Sequence, residues 1–152
     1  MPSWGEFAAA EPELASRVAE RFNIRKHKTM ATLRKDGSPR ISGIETEFED
    51  GQLCLGMMPN SRKLHDLRRD PRLALHSPTE DAPADRPAAW GGEAKISGVA
   101  VEVSYPDSPA AGAGRFRIDI KEVVLTHLNQ RGDRLVVVSW RDGRGRQMLE
   151  RE

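Results

Sequence analysis

Cysteine is nearly absent from this chain of 152 residues: Cys54 stands alone, which excludes an internal disulfide framework and any zinc site built on several thiolates. No run approaches 18 consecutive apolar residues, and the start, MPSWGEFAAAEPEL, lacks a basic segment followed by an apolar one, so neither a membrane span nor an export signal is expected. A cytoplasmic location is the expectation. Excess charge of one sign is missing too: 24 Lys+Arg face 23 Asp+Glu, a balance that favours neither nucleic acid nor a membrane surface as partner. Aromatic residues make up only 5% and hydrophobic residues 38%, which is lean for a monomer closing its own core. Catalytic signatures are equally scarce. The four histidines, His27, His65, His76 and His127, show no metal-ligand spacing, and no nucleophile elbow, phosphate-binding loop or dinucleotide fingerprint occurs, so no protein-ligated metal is expected.

What is present is a succession of strand signals. Residues 152 in number correspond to one domain, 1–152, able to bury about two thirds of its unfolded surface. Phe7, Ala10, Leu14, Val18 and Phe22 recur at spacings of three and four, predicting an amphipathic N-terminal helix over about 6–22 with Pro12 a point of interruption. Strands are predicted at Thr29 to Leu33, Arg40 to Phe48 and Gln52 to Met58, joined at Asp36-Gly37 and Asp50-Gly51 as an antiparallel meander. In the middle strand Ser42, Ile44, Thr46 and Phe48 share one face and Ile41, Gly43, Glu45 and Glu47 the other. Glu45 and Glu47 read as an exposed face rather than as paired catalytic carboxylates. Pro59-Asn60-Ser61 opens a short helix that Asp70-Pro71 ends, with Asn60 or Ser61 as its cap.

Further strands follow at Leu73 to His76, Lys95 to Val103, Arg115 to His127 and Leu135 to Trp140, with Gly98 a candidate bulge. Residues 77–92 show no period and read as a loop. The expected class is therefore mostly β: a closed antiparallel barrel of six or seven strands occupying about 28–140, helices over its openings, and a basic tail at 141–152.

The strongest local chemistry lies at Asn60-Ser61-Arg62-Lys63. Unpaired backbone N–H groups and the positive end of the helix dipole meet a hydroxyl and two cations there, an arrangement suited to a phosphate. Arg25-Lys26-His27-Lys28 is a second basic cluster, read as a solvated connector, and Arg141, Arg144, Arg146 and Arg151 suit an anion, a partner subunit or a frayed tail. A small β domain with an anion site and no visible acid, base or nucleophile either binds passively or takes its chemistry from a cofactor.

The run ATLRKDGSPRISGIETEFEDGQLCLGMMPNSRKLHDLRRDPRLAL resembles the signature half of the pyridoxamine 5'-phosphate oxidase-like flavin-binding split barrels, in the order strand, D-G-x-P-R, strand, strand, S-R-K, L-x-x-D-P-R, strand. The likeness spans about 29–103, with an echo in SWRDGRGRQMLER. It implies a six-stranded split β-barrel with an N-terminal helix and a short helix after the third strand. It further implies a homodimer with FMN across the subunit interface, acting as an oxidoreductase on a small molecule. By the same resemblance Ser61, Arg62 and Lys63 hold the phosphate, and Ser42, Gly43 and Ile44, within the strand positions up to Glu47, line the cofactor. Gly56, Met57 and Met58 lie along its chain and ring, Glu93 falls near a ring-side Gln, and Trp140 and Arg146 match the closing segment. The oxidases carry cations where this chain has Ser42 and Glu47, and their terminal R-L-x-P is absent, so oxidation of pyridoxamine phosphate itself is not expected. The family also implies two alternatives: a deazaflavin of the F-420 type, served by Arg25, Lys26, Lys28 and Arg40, or passive binding of flavin or heme, with His65 and His76 as axial ligands.

Overall fold

The computed structural model describes all 152 residues. The amphipathic N-terminus forms two helices rather than one: α1 (Trp4–Ala10) and α2 (Pro12–Asn23). The break falls at Glu11, because Pro12 takes the first position of α2, where its missing N–H costs nothing. Ser3 caps α1 in a reciprocal box with Glu6: the Glu6 N–H donates to Ser3 Oγ and the Ser3 N–H to Glu6 Oε1.

Eight strands form one antiparallel sheet: β1 (His27–Leu33), β2 (Pro39–Glu49), β3 (Gln52–Met57), β4 (Arg72–His76), β5 (Glu93–Val103), β6 (Gly114–Leu128), β7 (Leu135–Arg141) and β8 (Gly145–Arg151). The helix α3 (Arg62–Arg69) lies between β3 and β4. Their order is β3-β2-β1-β4-β5-β6-β7-β8, and a further pairing of β3 with β6 closes the first six into a barrel. The long strand β6 makes this possible by dividing one edge: Gly114–Arg117 pairs with β3, whereas Glu122–Leu128 pairs with β7. The chain therefore has the split-barrel architecture expected of it, extended by a wing. The final residues are not a basic tail: Gly145–Arg151 pairs with β7 over seven positions, because Gly143 and Gly145, at φ +83° and +75°, let the chain reverse after Arg141. Residues 77–92 are a loop with one 3₁₀ turn at Pro87–Ala89.

β5 buries its small side. Ala94, Ile96, Gly98 and Ala100 face the core, while Val99, Val101 and Val103 are half-buried on the other face. Gly98 is where the β5–β6 register shifts, and the reason is contact: a Cβ there would stand 2.0 Å from the Asp119 carbonyl oxygen. Phe116, Ile118 and Ile120 alternate inward from β6 as their pattern requires.

The few aromatics are concentrated where the helices cap the barrel. Trp4 packs on Phe48 at 4.6 Å and on Phe7 at 5.2 Å, Phe7 meets Trp140 edge-on at 4.8 Å, and Phe22 reaches Phe48 at 6.4 Å. Large rings placed at one plug compensate for their low number. The plug is tied to the barrel by backbone bonds from Gly5 N–H to the Gly51 carbonyl and from Ile120 N–H to the Pro2 carbonyl, each 2.8 Å.

Candidate functional site

β2 changes partners along its length. Its first half, Pro39–Glu45, pairs with β1, and its last residues, Thr46–Glu49, pair with β3. Beyond the Thr46–Leu55 pair, β3 turns toward β6, so β2 and β3 diverge. A cleft of about 470 Å³ opens in the fork, within the range of small-ligand sites. Gly43, Ile44, Glu45 and Glu47 line one wall, Cys54, Leu55, Gly56, Met57 and Met58 the other, and Lys63, His27, Tyr105 and Arg115 stand around them. Strand edges without a strand partner present peptide groups to whatever occupies such a fork.

Eight of the positions expected from sequence meet here: Gly43, Ile44, Glu45, Glu47, Gly56, Met57, Met58 and Lys63. Lys63 reaches from the first turn of α3 and donates from Nζ to the Gly43 carbonyl at 2.7 Å, bridging the helix to the open edge of β2. Ser61 occupies the N-cap, yet its side chain makes no cap bond, and its Oγ is buried with no partner. Arg62 is exposed on the same turn and is not part of the cleft wall. Ser42 faces the barrel side of β2 and is half-buried.

Two residues of the closing segment lie elsewhere. Trp140 is buried in the aromatic plug against Phe7, and Arg146, on β8, is exposed with its Nε 3.9 Å from Glu11. The other expected cations do not converge on the cleft either. Arg40 donates to the buried Asp66 carboxylate at 2.7 Å, Arg25 donates to the Thr79 carbonyl, and Lys28 is buried with its Nζ on the Lys26 carbonyl at 2.9 Å. Burial holds the Lys28 amine below its ordinary pKa, partly opposed by Glu45. Of the cluster at 25–28 only His27 lines the cleft, 3.4 Å from Glu45. His65 is exposed on α3, and His76 shares its Nδ1 with the Ser77 carbonyl at 2.7 Å; neither lines the cleft. Glu93 lies near His76, at 3.9 Å.

Sequence reasoning missed Arg115. It enters from β6, opposite Gly56, and donates from Nη2 to Glu49 at 2.8 Å. Burial would lower its pKa, but Cys54, Glu49 and Glu47 outweigh that and raise it, so it is a permanent cation in the cleft wall. Burial likewise pushes the Cys54 thiol up, opposed by Arg115, and the thiol is not an activated nucleophile. Arg115 was inconspicuous because its alternation partner Arg117 reads identically; only the β3–β6 pairing distinguishes them.

Helix α3 is fixed by Asp66, which is buried and accepts from Thr32 Oγ1 at 2.8 Å, Arg40 Nε at 2.7 Å and Arg69 Nη2 at 2.9 Å. Burial alone would raise its pKa, but these hydrogen bonds prevail and lower it. The carboxylate thereby locks the helix that carries Lys63 onto β1 and β2.

No family model matches the chain, and no curated protein does. Solved structures do. The chain superposes on PhzG from Burkholderia lata 383, a complex with tetrahydrophenazine-1-carboxylic acid, with a TM-score of 0.67 at 13% identity over 98% of this chain and 93% of that one. A pyridoxamine 5'-phosphate oxidase-related, FMN-binding protein from Nostoc punctiforme PCC 73102 gives 0.64 at 11% identity over 93% and 96%. A heme-binding protein from Mycobacterium smegmatis gives 0.57 at 14% identity over 99% and 88%. The chain thus has the split-barrel fold of the pyridoxamine 5'-phosphate oxidase-like proteins. No helix is long and apolar enough to cross a membrane.

Proposed function

We propose that the cleft between β2 and β3 binds FMN and that the protein is a flavin-dependent oxidoreductase acting on a small molecule. The observation that carries this reading is the fork itself, lined by Lys63 from the first turn of α3 and by Met57 and Met58, with the unpartnered Ser61 Oγ buried at the N-cap of the same helix. A buried hydroxyl without a partner is costly unless a ligand satisfies it, and a helix N-terminus with an adjacent ammonium suits a phosphate. The thioethers suit a flat polarizable ring. Gly43 leaves room beside it, since a Cβ at that position would touch nothing within 4 Å. The residues present therefore fit the group.

When bound, a flavin supplies the hydride or electron transfer, which accounts for a site without an evident acid, base or nucleophile. The chain's own part is to hold the phosphate through Lys63, Ser61 and Arg62, to orient the ring through the peptide edges of Gly43 and Ile44, and to exclude water with Met57, Met58 and Tyr105. The fold neighbours include both FMN-binding and heme-binding proteins; what favours a flavin here is the lysine at the start of α3, which suits a phosphate, while the one cleft histidine, His27, is largely exposed.

We also infer a homodimer. The outer faces of β1, β2 and β4 present Thr29, Ala31, Ile41 and Ala74 around a hollow of about 440 Å³, with Lys95 and Ser97 of β5 at its side and Ile41 77% exposed. Such a surface is suited to a second copy. Sedimentation of Ile41→Asp against the parent tests it: a monomeric variant supports this face, an unchanged dimer places the contact elsewhere.

The visible spectrum of the purified protein tests the cofactor. Absorption near ~450 nm that bleaches with reductant is expected, whereas a band near ~420 nm indicates a deazaflavin and a sharp Soret band indicates heme. A colourless protein that takes up no added FMN would overturn the reading.

A further inference from the structure

We propose that Arg115 and Tyr105 form an acid-recognition station in the cleft, and that the molecule acted on there is a small planar carboxylic acid, aromatic or conjugated. The claim that the acid binds stands on the cleft alone; the claim that it is a substrate rests on the flavin reading above.

The station exists because Gly56 has no side chain. Arg115 is its cross-strand partner, so no side chain stands directly opposite the guanidinium, which lines the cleft with Cys54 and Glu49 beside it. Tyr105 fills the same gap from the loop after β5: its hydroxyl lies 3.4 Å from where a Gly56 Cβ would be, and its ring centroid is 5.7 Å from Arg115 Cζ. A cation and an aromatic face are thus held together over one glycine. Arg115 is only partly exposed, with 23% of its side chain accessible, so a pair formed with it is less screened than at an open surface.

Chemistry narrows the ligand. Glu49 occupies one Nη2 hydrogen, and a guanidinium has five N–H donors in a planar fork, so donors remain for a planar carboxylate. Glu45 and Glu47 also line the cleft, and with Glu49 they repel a dianion more strongly than a monoanion. A carboxylate is therefore preferred to a phosphate at this end of the cleft. Tyr105, Met57 and Met58 give it flat, polarizable walls, which favours a conjugated skeleton over a branched aliphatic one.

Isothermal titration of the full-length protein, with and without added FMN, tests this with benzoate, benzyl alcohol and inorganic phosphate as probes. Benzoate is expected to bind, and benzyl alcohol to bind about tenfold more weakly or not at all, because it lacks the charge. Arg115→Gln is expected to weaken benzoate about tenfold while FMN affinity changes by less than about threefold, and Arg115→Lys to fall between. The proposal is overturned if benzoate does not bind, if benzyl alcohol binds as well as benzoate, if phosphate added to the FMN-loaded protein binds as well as benzoate, or if Arg115→Gln leaves benzoate unaffected. Loss of FMN affinity in Arg115→Gln equal to its loss for benzoate would also overturn it, making Arg115 a cofactor anchor. Should Arg115→Gln fail to fold, the probe comparison on the parent and the Arg115→Lys variant still decide. Benzoate binding without any flavin uptake would sustain the acid station and defeat the flavin reading.

Discussion

The Asp66 carboxylate on α3 and the Arg40 guanidinium on β2 are joined at 2.7 Å, with the carboxylate almost completely enclosed. The pair fixes the angle at which α3 delivers Lys63 to the open edge of β2. Truncating one member of an enclosed pair leaves the other charge without compensation. Asp66→Ala is expected to lower unfolding stability by about 3–5 kcal/mol, measured by denaturant titration. A loss below about 1 kcal/mol would show that Arg40 and Arg69 find other partners.

Acid should act through the same carboxylate. Its pKa is lowered in the folded protein by the hydrogen bonds from Arg40, Thr32 and Arg69, against the opposing effect of burial. A depressed folded pKa contributes stability that is complete above the unfolded value of about 4 and is lost as pH falls through the folded value. Stability attributable to Asp66 should thus be flat from neutral pH down to about 5 and decline below about 4. Melting temperatures of the parent and Asp66→Asn are expected to converge in that acid range; a constant difference at every pH would disprove the linkage.

Gly98 tests the bulge. A Cβ there would meet the Asp119 carbonyl oxygen at 2.0 Å and Asp119 C at 3.1 Å, both backbone atoms that cannot step aside as a side chain can. Gly98→Ala is expected to cost about 2–3 kcal/mol, read from the midpoint of thermal or chemical unfolding. A neutral substitution would mean that β5 and β6 can slide.

Gly43 makes the opposite case. An added Cβ meets nothing within 4 Å and, in an extended strand, a side chain relieves the entropic cost of glycine. Gly43→Val should leave stability unchanged or raise it by about 0.5–1 kcal/mol, while flavin binding is strongly weakened because the methyl groups enter the cleft. Intact FMN affinity in a folded Gly43→Val protein would remove the ligand from this fork.

Phosphate anchoring separates Lys63 from Arg62. Lys63 already spans to Gly43, whereas Arg62 is exposed outside the cleft wall. In a fluorescence titration with FMN, Lys63→Ala is expected to lose about tenfold in affinity and the double variant with Arg62→Ala somewhat more, in line with roughly 1.5–3 kcal/mol for a charge-assisted bond. Equal effects of the two single variants would move the phosphate outward along α3.

The sequence by itself determined the local periods and their punctuation. Two Asp-Gly turns gave the meander, alternation at Phe116, Ile118 and Ile120 marked an inward face, Gly98 marked a bulge, and Ser61 with Lys63 marked a helix terminus suited to an anion. These features depend on neighbours within a few residues, so their physics is written in adjacent letters. Tertiary structure alone decided which strand leaves which: β2 parting from β3 makes the cleft, and β3 pairing with β6 brings Arg115 to Gly56. It also committed Arg40 to Asp66, Trp140 to the aromatic plug and the last residues to β8. Strand register and barrel closure couple residues far apart in the chain, and the balanced charge of the sequence acquires direction only when that closure pairs each cation with its carboxylate or leaves it facing the cleft.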